Sequence, residues 1–493
     1  MNIIKVQILL FMIINTSQSF ANHKLSSELN KQIKLSDKVE IYVLLKNQKP
    51  LKPFSGTGRI EKLKHTIQQL KNNAQYSQTH IKPLLSSLTN EYKFYWINNS
   101  FWATIDSDKI NTLTQSKHIK KAFSNQKQKL DTIQTTTEST TNSARAIEWN
   151  ISHINAPQVW ELGIKGQNVL VAGQDTGYQW DHKSIKNQYA GWDGVTVNHN
   201  YAWHDAISNP LVDCLDEAQK PASCDDHGHG THTMGTIVGD DAQGNQIGVA
   251  PESKWIGCRN MDIGNGTPAT YTECFQFFLE PTDIQGLNPN VNKAPHIINN
   301  SWGCPVSEGC IEANALESVV NNVVDAGILV VVSAGNSGPS CNSVVSPAAI
   351  YHKSLTIGSI TVDDEISSFS SQGAVTVDGS NRIKPDIVAP GSSIRSAALN
   401  GDYSFSSGTS MAGPHVAGLA ALMISANPEM AGKPKILKHV ILRSSQALST
   451  QQTCSGVLGS AIPNNTFGWG KIDALSAVND IKDLIFLDNY EDF

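Results

Sequence analysis

From residue 168 onward the chain repeats one pattern. Short apolar, β-branched runs alternate with stretches of helical spacing. The runs fall at 168–174, 255–258, 296–299, 328–333, 354–358 and 386–389. Strands that are apolar on both faces need cover on both faces, and helices between successive strands make the strands parallel. The expected fold is therefore α/β, a parallel sheet with helices on both faces. The helical stretches are expected near 229–238, 270–279, 311–326 and 410–426.

A different pattern precedes it. Residues 40–45 read as a strand, and Ile60, Leu63, Ile67 and Leu70 mark one face of a helix within 58–88. Residues 92–96 and 101–105 read as a hairpin around Asn98-Asn99. Asp106 or Ser107 can cap a helix reaching about residue 116, and 118–123 closes the unit as a strand. The order β-α-β-β-α-β predicts a small α+β, ferredoxin-like unit. Residues 124–145 are Thr/Ser-rich and cannot bury much apolar surface, so a flexible linker is expected there. The first 21 residues carry Lys5, a short apolar centre and Ser19-Phe20-Ala21, the layout of an export signal cleaved after Ala21.

Charge separates the same parts. The chain has 493 residues and a net charge of −6. Residues 1–145 hold 21 Lys+Arg and 9 Asp+Glu, whereas 146–493 hold 17 and 35. The acidic larger part argues against nucleic acid as a partner, because phosphate contacts need basic surface. Beyond the signal, no apolar run is long enough to anchor the chain in a membrane. All eight cysteines lie in the acidic part. Their even number in an exported chain suggests disulfides. Pairing of chain neighbours would join Cys214 with Cys224, Cys258 with Cys274, Cys304 with Cys310 and Cys341 with Cys454, one of 105 possible connectivities. The lack of a CxxC pair argues against a zinc ribbon or thioredoxin-type site.

Three segments place unusual residues at strand ends or helix starts. One strand runs into Asp175-Thr176-Gly177. His227, His229 and His232 fall within six residues. A Gly408-Thr409-Ser410 turn opens an apolar helix, with Pro414 expected in its first turn. A Ser hydroxyl is a weak nucleophile until a hydrogen-bonded His takes its proton. A buried carboxylate can fix that His in the right tautomer. Asp175, His229 and Ser410 supply the three groups. A developing oxyanion needs donors, and Asn336 follows the apolar run ending at Ser333.

With these residues in order, the chain resembles the subtilisin-like serine peptidases. The carriers are Asp175-Thr-Gly177, His229-Gly-Thr-His232, Ser301-Trp302-Gly303, Ser333-Ala334-Gly335-Asn336 and Gly408-Thr-Ser-Met-Ala412. The likeness spans residues 146–480, with Lys384-Pro-Asp386 and Phe467-Gly-Trp-Gly470 in agreement. Cys258-Arg-Asn-Met-Asp262 and Asn299-Asn-Ser-Trp-Gly-Cys304 point to the bacillopeptidase F-like branch. The resemblance implies Ser410 as nucleophile, His229 as base and Asp175 as its carboxylate. Asn336 and the Ser410 N–H would form the oxyanion hole. Ser301, Trp302 and Gly303 would pair with substrate backbone, and Ser333, Ala334 and Gly335 would form a second wall. It also implies protein or peptide substrates, a monomer, and no cofactor for catalysis. Structural calcium is compatible with the family, but Ser184 stands where an Asp ligand of its tight site would be.

The resulting expectation is a secreted serine endopeptidase made as a self-cleaving precursor. Residues 22–123 would be its intramolecular inhibitor, 124–145 a linker with the processing site, 146–480 the catalytic domain and 481–493 an acidic tail. Two other readings compete. His227, His229 and His232 have the spacing of a zinc-binding HxHxDH segment, although Thr231 replaces the Asp. An inactive binding protein would instead carry a broken triad.

Overall fold

The computed structural model describes residues 23–130, 134–137, 147–207, 214–215, 221–303 and 313–483. The expected export signal, Cys304 with Cys310, most of the acidic tail and much of the expected linker lie outside the described residues.

The N-terminal unit is β-α-β-β-α-β behind one short helix. Its elements are α1 (Ser27–Gln32), β1 (Lys38–Leu45), α2 (Arg59–Leu88), β2 (Tyr92–Tyr95), β3 (Ser100–Asp106), α3 (Ile110–Gln115) and β4 (Ile119–Ser124). The sheet order is β2-β3-β1-β4, with β1 antiparallel to β3 and β4. Alternation along β1 sends side chains to opposite faces. Val39, Ile41, Val43 and Leu45 pack in a core with Ile81 and Leu85 of α2. Tyr42 and Leu44 join the main core of the molecule instead, as do Leu63, Ile67 and Leu70.

Two short strands follow, β5 (Gln128–Lys129) and β6 (Gln134–Thr137). Both lie in the stretch expected to be a flexible linker. Each gains backbone hydrogen bonds from an existing strand, so neither needs a core of its own.

The larger unit contains α4 (Trp149–His153), α5 (Ala156–Glu161), β7 (Leu170–Asp175), β8 (Trp203–Asp205), α6 (His229–Val238) and β9 (Lys254–Arg259). There follow β10 (Met261–Asp262), β11 (Asn265–Gly266), α7 (Pro268–Leu279), β12 (Ile297–Asn300), α8 (Glu317–Asp325), β13 (Leu329–Ser333), β14 (Leu355–Ile360) and β15 (Ile387–Pro390). The last elements are β16 (Ile394–Ala397), β17 (Tyr403–Ser407), α9 (Thr409–Ala426), α10 (Pro434–Arg443) and α11 (Ala474–Asp483). Seven strands form a parallel sheet in the order β15-β14-β13-β12-β7-β9-β8. The α/β fold read from the sequence is the fold observed. The central helix α9 is buried from Thr409 through Ile424, as a helix that is apolar all round must be.

The chain leaves β7 toward β9 on one side and returns to β12 on the other. That reversal makes a switch point beside β7, and the crevice outside the carboxyl ends of such strands is where open α/β sheets bind ligands. Asp175 ends β7, Ser301 follows β12, and Asn336 lies just beyond β13.

The N-terminal sheet sits on α7 and α8. Tyr42 Oη and Thr272 Oγ1 are 2.9 Å apart, and Gln276 Oε1 accepts the N–H of Trp96 at 2.7 Å. Asn322 Nδ2 donates to Ile97 O at 2.6 Å. Lys93 pairs with Glu273 at 2.6 Å and Lys71 with Glu280 at 2.5 Å. In both pairs the base comes from the N-terminal unit and the acid from the larger one.

Three of the four expected disulfides are formed, Cys214–Cys224, Cys258–Cys274 and Cys341–Cys454, with Cα separations of 5.4, 5.7 and 5.4 Å. Among the described residues, no helix is long and apolar enough to cross a membrane.

Candidate active site

Asp175 ends a fully buried strand and points at the first residue of α6. His229 Nδ1–H donates to Asp175 Oδ1 at 2.6 Å, with the side chains 0% and 1% exposed. Asp175 Oδ1 also accepts the Thr176 N–H at 2.8 Å. With Nδ1 protonated, His229 Nε2 keeps its lone pair, and that buried atom has no hydrogen-bond partner. The close approach of α6 to β7 depends on Gly230. A Cβ there would lie 2.0 Å from Gly177 O and 3.0 Å from the Asp175 Cβ.

Asp225 organises the entry to α6, a role the sequence reading missed. Its Oδ1 accepts from Thr176 Oγ1 and from the N–H groups of His227 and Gly228. Its Oδ2 accepts from Thr231 N–H at 2.9 Å and Thr231 Oγ1 at 2.6 Å. The available signal was an Asp shortly before a helix start, where short carboxylates cap free N–H groups.

Ser410 is the second residue of α9. Its Oγ donates to Ser301 O at 3.0 Å, and it makes no hydrogen bond to His229 in this conformation. Pro414 lies inside α9, beyond its expected place in the first turn. It cannot donate to the carbonyl four residues back, which is that of Ser410. Ser301 Oγ fills this acceptor at 2.9 Å and itself accepts from Asn299 Nδ2 at 2.8 Å. The nucleophile candidate is thus held through β12.

Thr409, just before Ser410, is tied to the segment after β13. Its N–H and Oγ1 both donate to Asn336 Oδ1 at 2.9 Å. This fixes the amide plane and turns Asn336 Nδ2 away from Thr409. Ser333 Oγ donates to Thr409 O at 3.0 Å, and the Gly335 N–H to Thr409 Oγ1 at 3.2 Å. Ala334 is buried, and its N–H donates to Ile357 O.

Ser301, Trp302 and Gly303 are buried beside this region. Trp302 stacks on Tyr271, with centroids 3.9 Å apart and planes 3° from parallel. The backbone that receives another chain segment is a neighbouring one. β5 pairs antiparallel with β11, Gln128 opposite Gly266 and Lys129 opposite Asn265. The Leu130 N–H then donates to Gly264 O at 2.7 Å. β6 pairs with β17, Gln134 opposite Ser407, three residues before Ser410.

The other two histidines have different surroundings. His232 Nε2–H lies 3.2 Å from both Ile394 O and Ser404 O, and burial pushes its pKa down to about 3. His227 is exposed, its ring centroid 6.4 Å from that of His229, and partial desolvation lowers its pKa as well. One ring nitrogen each of His229 and His232 is engaged, His229 Nδ1 by a carboxylate and His232 Nε2 by carbonyls. Among the described residues, no three His, Cys, Asp or Glu side chains are grouped to hold a metal. The zinc arrangement considered for these histidines is not favoured.

The loop expected to be next to a calcium site is held otherwise. Ser184 Oγ and Tyr403 Oη are 2.6 Å apart, and Tyr403 Oη donates to Asp241 Oδ2 at 3.2 Å. Arg395 lies 4.2 Å over the Tyr403 ring and donates to Glu148 Oε1 at 3.0 Å and Asn245 Oδ1 at 3.3 Å. A guanidinium among these groups does not fit a tight calcium cage of six to eight oxygens.

Comparison with known proteins agrees with this geometry. Residues 166–470 match the model of the subtilase family. The chain is 29% identical to bacillopeptidase F of Bacillus subtilis (strain 168), over 95% of this chain and 33% of that one. It is 34% identical to the major intracellular serine protease of the same strain, over 57% of this chain and 75% of that one. With subtilisin of Bacillus pumilus the identity is 30%, over 58% and 87% of the two chains. The chain thus spans about a third of the length of bacillopeptidase F. The chain belongs to the subtilase family.

Proposed function

We propose that the protein is a secreted serine endopeptidase made as a precursor that removes its own N-terminal unit. The observation that carries the reading is the buried Asp175–His229 hydrogen bond, which leaves His229 Nε2 as an acceptor at the mouth of the switch-point crevice. A rotation about the Ser410 side-chain bond frees Oγ from Ser301 O. His229 Nε2 takes the Ser410 proton as Oγ attacks the peptide carbonyl. Asp175 stabilises the imidazolium that forms. Asn336 Nδ2 and the Ser410 N–H donate to the tetrahedral oxyanion. The imidazolium then gives its proton to the leaving amine. Water, deprotonated by the same nitrogen, releases the acyl group and restores Ser410.

Self-processing is supported by the path of the intact chain. Residues 128–130 pair on one side of the site at β11 and Gly264, and residues 134–137 pair on the other at β17. An added strand is how peptides commonly dock on an exposed edge. The N-terminal unit then acts as an inhibitor that the enzyme carries with it. Export is supported by three disulfides, which persist in oxidising compartments.

The test is to express the full chain and its Ser410→Ala variant in a protease-free system and to treat both with a fluorophosphonate. The wild-type chain should mature, label at Ser410 and cleave casein, while the variant stays full-length and unlabelled. Equal processing of the variant would refute self-cleavage. Casein hydrolysis that survives in Ser410→Ala would refute the nucleophile.

A further inference from the structure

The strand seated beside the site carries a side chain whose partner has no catalytic role. Lys127 precedes β5, and its Nζ lies 3.2 Å from Asp262 Oδ2. Asp262 is in β10, which pairs with β11, the strand that β5 joins. Its side chain is 14% exposed, and Oδ1 is buried without a hydrogen-bond partner. Neighbouring carboxylates are already engaged. Asp226 and Asp205 share Arg259, at 3.1 and 2.7 Å, and Asp225 caps α6. Lys127 is the one cationic side chain paired with Asp262 among the described residues.

Three residues on, Leu130 is 6% exposed. A Cβ built on Gly264 would lie 3.6 Å from both Leu130 Cβ and His227 Cδ2, so Leu130 and His227 both flank Gly264. The backbone bonds at Gly264, Asn265 and Gly266 hold this register whatever the side chains are. Removing the N-terminal unit takes the ammonium from Asp262 and opens the strand edge beside it.

We infer that Asp262 is a specificity-determining residue that selects peptide substrates with a basic side chain three positions before the residue seated in the Leu130 site. The inference rests on the endopeptidase reading and deepens it. The substrate class is a basic, extended peptide segment of Lys-x-x-Leu type, and the enzyme's own residues 127–130 are its first example.

The experiment uses protein matured from the full chain and quenched fluorescent peptides with the sequence of residues 126–137. The residue at position 127 is Lys, norleucine or Glu. The expected kcat/KM order is Lys, norleucine, Glu, with a span of about three- to tenfold, the range of a partly exposed ion pair and its reversal. Asp262→Asn should flatten the order and Asp262→Lys should invert it. The preference in the wild-type enzyme should also shrink at high salt, a readout that needs no variant. A flat order on an enzyme that cleaves casein overturns this inference alone, as does a Lys preference unchanged in Asp262→Lys. Failure to cleave casein and all three peptides overturns the endopeptidase reading and this inference with it.

Discussion

His229 Nδ1 and Asp175 Oδ1 are 2.6 Å apart, with both side chains essentially out of water. The carboxylate decides which imidazole nitrogen carries the proton. Asp175→Asn presents an amide N–H or a weaker acceptor to Nδ1 and so loses control of the tautomer. A kcat loss of about 10²–10⁴, the usual share of general acid–base catalysis, is expected. The KM should change far less. Steady-state kinetics separates the two, and an unchanged kcat would refute the assigned role.

Ser301 holds Ser410 in place where Pro414 cannot. Ser301→Ala leaves the Ser410 carbonyl and Asn299 Nδ2 without this partner in a buried region. The expected cost is about 1–3 kcal/mol for each polar group left unpaired, seen as a lower melting temperature. Ser301→Thr keeps the hydroxyl and should recover most of the stability. Equal melting of Ala and Thr variants would show that the hydroxyl is dispensable.

Acid should unfold the protein through buried histidines, of which His415 and His232 are two. His415 Nδ1–H donates to Met411 O at 2.9 Å, and Nε2 lies 2.7 Å from Asn150 Nδ2, an arrangement for a neutral ring. Burial pushes His415 down to about 4 and His232 to about 3, from 6.5. Between those limits the unfolded chain binds more protons than the folded one. Their contribution is therefore complete above the unfolded pKa and is lost as pH falls toward the folded values. Each histidine adds a slope of up to about 1.4 kcal/mol per pH unit. Asp226, pushed up to about 6 by burial, acts in the opposite direction between 3.8 and 6 and offsets part of one histidine. Urea melts of Ser410→Ala at about pH 7.5 and about pH 5 should show lower stability at the acid value. Equal stability would contradict the buried neutral rings.

Inhibition by the separate N-terminal unit should weaken as salt rises. Lys71, Lys93 and Lys127 face Glu280, Glu273 and Asp262 across the contact. The surrounding charge has the same sense, with residues 1–145 basic and 146–493 acidic. Complementary fields speed association and are screened beyond about 10 Å at 0.1 M salt. The association rate should fall most. A rate and an inhibition constant indifferent to salt would mean that the charge asymmetry does not contribute to docking.

Much of this molecule is legible in its sequence, for local reasons. Apolar runs such as 328–333 mark the buried strands because a parallel strand has no solvent face. Asp175, His229 and Ser410 stand out because each sits at a strand end or helix start. The pairings that build the candidate site join residues far apart in the chain, and no local pattern encodes them. Ser301 filling the carbonyl that Pro414 leaves open is one case. Thr409 clamping Asn336 is another. The linker shows the limit most clearly. Its Thr-rich composition read as flexible because it cannot build a core, yet β5 and β6 are ordered by strand edges supplied from elsewhere. Sequence alone singled out the residues proposed for the chemistry. Tertiary structure decided which nitrogen of His229 is free and which carboxylate meets Lys127, because hydrogen bonds and ion pairs depend on positions in space that only the packed sheet sets.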